Sequence, residues 1–208
     1  MEVEFKHTKT YRYEIINPSP SPKMVIYVLH GYGQLAKFFI RKFQYLSKDI
    51  MIVAPEGMHR FYLRASSGRV GASWMTKEAR QSDITDNINW LNELDKQISE
   101  QYSISKRILI GFSQGGATAA RWETLGTVSF DEMVLWACVF PPDLELNAEA
   151  SQVKRPYFVI GREDEFYTPE QQDALIAYYE RRGYNCIRYH GKHDIESKTL
   201  NEIVRQIN

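Results

Sequence analysis

The chain has 208 residues, 43% of them hydrophobic, with 26 Lys plus Arg set against 26 Asp plus Glu. A balance of this kind leaves no basic excess to hold nucleic acid, and the length suits one domain, residues 1–208, with a full core. Neither a basic start followed by an apolar run nor any stretch long enough to span a bilayer is present, so a cytoplasmic protein without a membrane span is expected.

In chain order, residues 3–16 alternate in places (Val3, Phe5; Tyr11, Tyr13, Ile15) as a half-exposed strand or hairpin would, until Asn17-Pro18-Ser19-Pro20-Ser21-Pro22 breaks the pattern. Short apolar runs follow at 24–29, 50–54, 107–110, 133–139, 157–160 and 185–189, the signature of strands covered on both faces. Helical patterns lie between and after them at 36–48, 79–102, 117–125, 169–182 and 196–207, with Thr168 as N-cap and Pro169 at the first helical position of the fourth. Strands alternating with helices predict a three-layer α/β fold with a mostly parallel sheet. One long segment, 55–76, has no clear period and reads as a loop at the carboxyl end of a strand, where open α/β sheets bind ligands. It carries Arg60, Phe61, Tyr62, Arg64, Arg69 and Trp74.

The chemistry concentrates at four strand ends. Gly111-Phe112-Ser113-Gln114-Gly115-Gly116 directly follows a strand and precedes a helix, as a nucleophile elbow should, with small residues where strand and helix approach each other. An activated serine needs a base, and the base an orienting acid, in the order Ser, Asp or Glu, His. Asp164, just past the strand at 157–160, is the expected acid, and His193, in the loop after the last strand, the expected base. Glu163, Glu165, Asp194 and the more distant Asp143 compete for the first role, and His190 for the second. His7 and His59 read as ordinary surface or core residues, and His30 as shaping its own loop. The oxyanion of acyl transfer would meet the backbone N–H groups of Tyr32, in His30-Gly31-Tyr32-Gly33, and of Gln114. Cys138 and Cys186 suggest buried thiols, with neither a disulfide framework nor a metal cluster.

These motifs resemble those of the α/β-hydrolase superfamily and, within it, the small carboxylesterases and acyl-protein thioesterases. The resemblance rests on His30-Gly31-Tyr32-Gly33, Gly111-Phe112-Ser113-Gln114-Gly115-Gly116, Gly161-Arg162-Glu163-Asp164 and Gly191-Lys192-His193, which span nearly the whole chain. It implies a cofactor-free serine hydrolase acting on small-molecule esters or thioesters, and places Trp74 at the border of an acyl site. Two departures bear on the substrate. Glu165-Phe166-Tyr167-Thr168-Pro169 is bulkier than the usual Asp-x-x-Val-Pro stretch, and 55–76 is richer in arginine and aromatic residues. Arg64 and Arg69 are accordingly expected to meet an anionic group. The alternatives are a small peptidase of the same fold and a non-catalytic binding protein that retains it.

Overall fold

The computed structural model describes residues 3–147, 153 and 156–207. Seven strands form one sheet: β1 (Tyr13–Ile16), β2 (Met24–Leu29), β3 (Ile50–Pro55), β6 (Arg107–Phe112), β7 (Glu132–Trp136), β8 (Tyr157–Gly161) and β9 (Asn185–Tyr189). Their order across the sheet is β1-β3-β2-β6-β7-β8-β9, and only the edge strand β1 runs antiparallel to its neighbour. The helices are α1 (Ala36–Phe39), continued by a 3-10 turn at Ile40–Phe43, α2 (Arg80–Gln101), α3 (Gln114–Leu125), α4 (Pro169–Glu180) and α5 (Ser197–Gln206).

The continuous apolar runs are explained by burial on two faces. In β2, Val25, Tyr27 and Leu29 join one core with Ile84, Leu91, Trp122 and Tyr179 from α2, α3 and α4. The alternate residues Met24, Ile26 and Val28 join a second core with Phe39 from α1 and Leu200 and Ile203 from α5. A strand side chain switches face at every residue, so a strand sandwiched between helix layers must be apolar at every position.

Residues 55–76 are not a loop. They form a separate two-stranded hairpin, β4 (His59–Arg64) and β5 (Ser67–Ser73), paired antiparallel with an irregularity between Tyr62 and Arg64. The turn between them is Ala65-Ser66, with Ala65 left-handed at φ 47°, and Gly68, at φ 88°, takes a second left-handed conformation just inside β5. Most of the hairpin faces solvent, so its side chains follow no period of burial, and that hid it in the sequence. The expected helix at 36–48 is only one α turn and a 3-10 turn, and α3 starts three residues earlier than the helical pattern suggested.

Parallel strands put all their carboxyl ends on one edge of the sheet. That edge carries the segments after β2, β6, β8 and β9, which hold Tyr32, Ser113, Asp164 and His193 in turn.

Candidate active site

At the end of β6 the chain turns into α3 within one residue. Ser113 takes φ 53° and ψ −121°, a conformation that costs a non-glycine residue about 1–3 kcal/mol. The corner is held on both sides: the Ser113 amide donates to the Trp136 carbonyl at 2.8 Å, and the Gly116 amide to the Ser113 carbonyl at 2.9 Å. A Cβ on Gly115 would strike the carbonyl oxygens of Leu29 and His30, and one on Gly116 would strike the Cys138 sulfur. Glycine at both places lets α3 begin hard against β2 and β7.

Asp164 and His193 are brought together. His193 Nδ1 lies 2.7 Å from Asp164 Oδ2, and the Asp164 carboxylate is fully buried. A carboxylate only accepts, so Nδ1 carries the hydrogen and Nε2 is left with a free lone pair. The other carboxylate oxygen accepts from the Phe166 amide at 3.0 Å. The imidazole is packed between two phenyl rings, Phe112 at 4.8 Å and Phe166 at 4.5 Å between centroids. Phe112 is the residue before Ser113, so the His193 ring and the Ser113 corner share a wall. The loop holding His193 is pinned by Tyr189, whose hydroxyl shares its one hydrogen between the carbonyls of Lys192 and Asp194. Gly161 makes room beneath it, since a Cβ there would meet the Gly191 and Lys192 carbonyls.

The competitors have other partners. His190 is exposed. Asp194 Oδ1 lies 2.6 Å from Lys42 Nζ and accepts from the Ile195 amide. Asp143 is held by Arg121 at 2.7–2.8 Å and by Arg80 at 2.6 Å, and the Arg121 hydrogen bonds keep its carboxyl well below the usual carboxylate range. Glu165 reaches the His193 backbone amide, not the ring, and Glu163 is exposed. His59 pairs with Asp83 at 3.0 Å.

The loop after β2 is shaped by His30. Its Nε2 accepts from the Gly57 amide at 2.9 Å, so Nδ1 carries the hydrogen and donates to the Gly31 carbonyl at 2.8 Å. Burial lowers its pKa to about 4, which keeps the ring neutral. The Gln34 side chain accepts from the Gly31 amide at 2.9 Å. The Tyr32 and Gln114 amides donate to no acceptor among the described residues. Tyr32 itself is exposed, and its ring lies 5.0 Å from Phe61 of β4.

Trp74 corrects an expectation. It is 0% exposed, its indole donates to the His30 carbonyl at 2.8 Å, and Trp90 stacks on it, so it braces the loop after β2 from behind and offers no surface to a substrate. A buried indole N–H must find a partner, and the nearest carbonyl lies inside that loop. Its segment is gripped by the Gln114 side chain, whose amide accepts from the Trp74 N–H at 3.1 Å and donates to Ser73 Oγ and the Met75 carbonyl. Sequence reasoning missed this latch, and missed Phe112 and Phe166 as the walls around the His193 ring. The bulky stretch after Asp164 was the one available signal for Phe166.

Two open cavities are lined by residues from this edge. Val139, Phe140, Tyr167, Leu175 and Tyr178 line an apolar groove of about 360 Å³ between the segment after β7 and α4. Across the edge, Gln34, Phe38, Lys42, Leu63, Arg69 and Val70 line one of about 490 Å³ between α1 and the hairpin. Arg64 sits at the exposed tip of the hairpin, outside the lining of that second cavity. Cys138 is buried, which pushes its thiol up to about 12, and the half-buried Cys186 thiol rises to about 11 for the same reason. Neither is poised to react. Among the described residues no group of His, Cys, Asp or Glu is arranged to hold a metal ion, and no helix is long and apolar enough to cross a membrane.

A mostly parallel sheet between helix layers, with a strained serine at a central strand–helix corner and an Asp and a His after the strands two and three places away, defines the α/β-hydrolase class of enzymes. Within that class the chain belongs to the FSH1 serine hydrolase family, whose family model matches residues 20–202. It is an esterase-like enzyme. Among solved structures it is similar in fold to esterase PE8, with 20% identity, a TM-score of 0.75, and coverage of 96% of this chain and 100% of that one. It is also similar to a carboxylesterase from Mesorhizobium loti, with 17% identity, a TM-score of 0.69, and 94% and 93% coverage. For acyl-protein thioesterase 2 of Zea mays the figures are 16% identity, a TM-score of 0.68, and 94% and 97% coverage. No curated protein matches the sequence.

Proposed function

We propose that the protein hydrolyses small carboxylic esters or thioesters through an acyl-enzyme, with Ser113 as nucleophile, His193 as base and Asp164 as its orienting acid. The observation that carries this reading is the 2.7 Å contact between His193 Nδ1 and the buried Asp164 carboxylate, beside the ring that precedes Ser113. With Nδ1–H committed to Asp164, Nε2 takes the Ser113 proton as Oγ attacks the carbonyl carbon. The resulting oxyanion is met by the unengaged N–H groups of Tyr32 and Gln114, the latter reinforced by the amino terminus of α3. Collapse of the tetrahedral intermediate breaks the bond to the leaving oxygen or sulfur, which receives the proton from His193. Water, deprotonated by the same nitrogen, then releases the acid and restores the serine. The groove lined by Val139, Phe140 and Leu175 takes an apolar portion of the substrate.

Labelling by a fluorophosphonate probe tests the reading. The intact chain is expected to label at Ser113, Ser113→Ala not at all, and His193→Ala far more slowly. A chain that fails to label, or a Ser113→Ala variant that labels as well as the parent, excludes Ser113 as an activated nucleophile.

A further inference from the structure

The cavity between α1 and the hairpin has no counterpart in the chemistry above, which needs a serine, a base, an acid and two amides. Its wall carries two cations, Arg69 and Lys42, and no carboxylate. Lys42 is already engaged, 2.6 Å from Asp194 of the His193 loop. Arg69 forms no ion pair or side-chain hydrogen bond among the described residues. The cavity therefore offers about one uncompensated positive charge, which matches a single carboxylate better than a doubly charged phosphate. Leu63, Val70 and Phe38 supply apolar wall for the carbon chain that would carry it.

Position ties this cavity to the reacting centre. Gln34, which lines it, accepts from the Gly31 amide one residue before Tyr32. The hairpin that carries Arg69 is fastened to the same loop: the Gly33 amide donates to the Ala72 carbonyl at 2.9 Å, and the Ala72 amide to the Gln34 carbonyl at 3.1 Å. On the opposite wall Phe39 lies 6.0 Å from Phe112, which packs on His193. A carboxylate seated on Arg69 is thus held by an element whose placement is set by the segment that carries the Tyr32 amide.

We infer that the enzyme prefers esters that bear a free carboxylate, bound by Arg69 with Lys42 beside it. The inference rests on the serine hydrolase reading, and the test separates the two.

Initial rates with the full chain would be compared in two matched pairs. The p-nitrophenyl monoester of glutaric acid against p-nitrophenyl valerate places the carboxylate on the acyl side. 4-Acetoxybenzoate against its methyl ester places it on the leaving group. In one of the two pairs kcat/KM is expected to favour the charged member by about fivefold, the scale of an exposed ion pair. That pair also identifies which half of the substrate enters the cavity. Arg69→Gln should bring the ratio to about one, and Arg69→Lys should keep part of it. Leu63→Glu, a change at a part-exposed wall residue, should invert the ratio even if Arg69→Gln proves unstable. Ratios at or below one in both pairs for the parent, or ratios untouched by Arg69→Gln and Leu63→Glu, overturn the inference while fluorophosphonate labelling of Ser113 persists. Absence of both labelling and ester cleavage sinks the hydrolase reading, and this one with it.

Discussion

At the scale of single residues, two aspartates separate rate from stability. Asp164→Asn retains the shape of the side chain but favours the wrong tautomer of His193, and should cost on the order of 10⁴ in kcat. Asp143→Asn leaves Arg121, whose side chain is only 6% exposed, without its bidentate partner. It should lower stability by roughly 1–3 kcal/mol in a urea titration and leave kcat nearly intact. His30 makes a pH-dependent contribution of its own. Its pKa falls from 6.5 to about 4 on burial, so between those values the unfolded chain binds the extra proton and the folded chain does not. Its stabilisation is therefore complete above about pH 6.5 and is lost as the pH falls towards 4, by roughly 3 kcal/mol in all. His30→Gln should flatten that part of the stability–pH curve, measured as urea midpoints between about pH 7 and pH 4. Ser113, Asp164 and His193 could be singled out in the sequence because each follows an apolar strand by no more than four residues, on the edge where the parallel strands end. His193 could be preferred to His190 only as a guess from spacing; the structure separates them by exposure and by the Asp164 contact. Trp74 was misplaced because sequence order says which element a residue follows, not whether its ring turns out towards substrate or in towards Trp90.

Elements were readable to the degree that burial imposes a period on them. Strands β2 and β9 have the expected limits, since every side chain of β2 is inside the protein and β9 ends at the buried Tyr189, just before His190-Gly191. The hairpin β4–β5 was not readable: of its first strand only His59 and Phe61 are even partly buried, so hydrophobicity carries no alternation. Helix α3 was expected too late because Gly115 and Gly116 are poor helix formers, present for close approach and not for propensity. The hairpin matters to the site through one glycine. A Cβ on Gly71 would collide with the backbone of Gly33, where nothing flexible can yield. Gly71→Ala should therefore push the hairpin off the loop after β2 and lower kcat with little change in the unfolding midpoint of the sheet, read by kinetics beside a thermal melt. An alanine variant with parental kcat would show that the loop keeps its shape without the hairpin.

Over the molecule as a whole, equal numbers of acidic and basic residues leave little long-range field, so attraction of a charged substrate must be local to the Arg69 cavity. Salt should then weaken only the preference for a carboxylate-bearing ester: raising ionic strength from about 0.01 to about 1 M shortens the screening length from roughly 30 to 3 Å and should erode the charged-to-neutral ratio while neutral esters are hydrolysed as before. The composition shows the overall charge balance but could not locate one uncompensated arginine, because that depends on which cations the fold leaves without a carboxylate.

The Ser113 corner has a further consequence for anyone who would make this protein more durable. Glycine adopts φ 53° and ψ −121° without the penalty a serine bears there. Ser113→Gly should accordingly melt higher than the parent, by several degrees if about 1–2 kcal/mol is released in a chain of this size, while hydrolysing nothing. The free energy held in that turn sits where the proposed chemistry needs it, and selection for heat resistance alone, blind to turnover, would discard the proposed nucleophile.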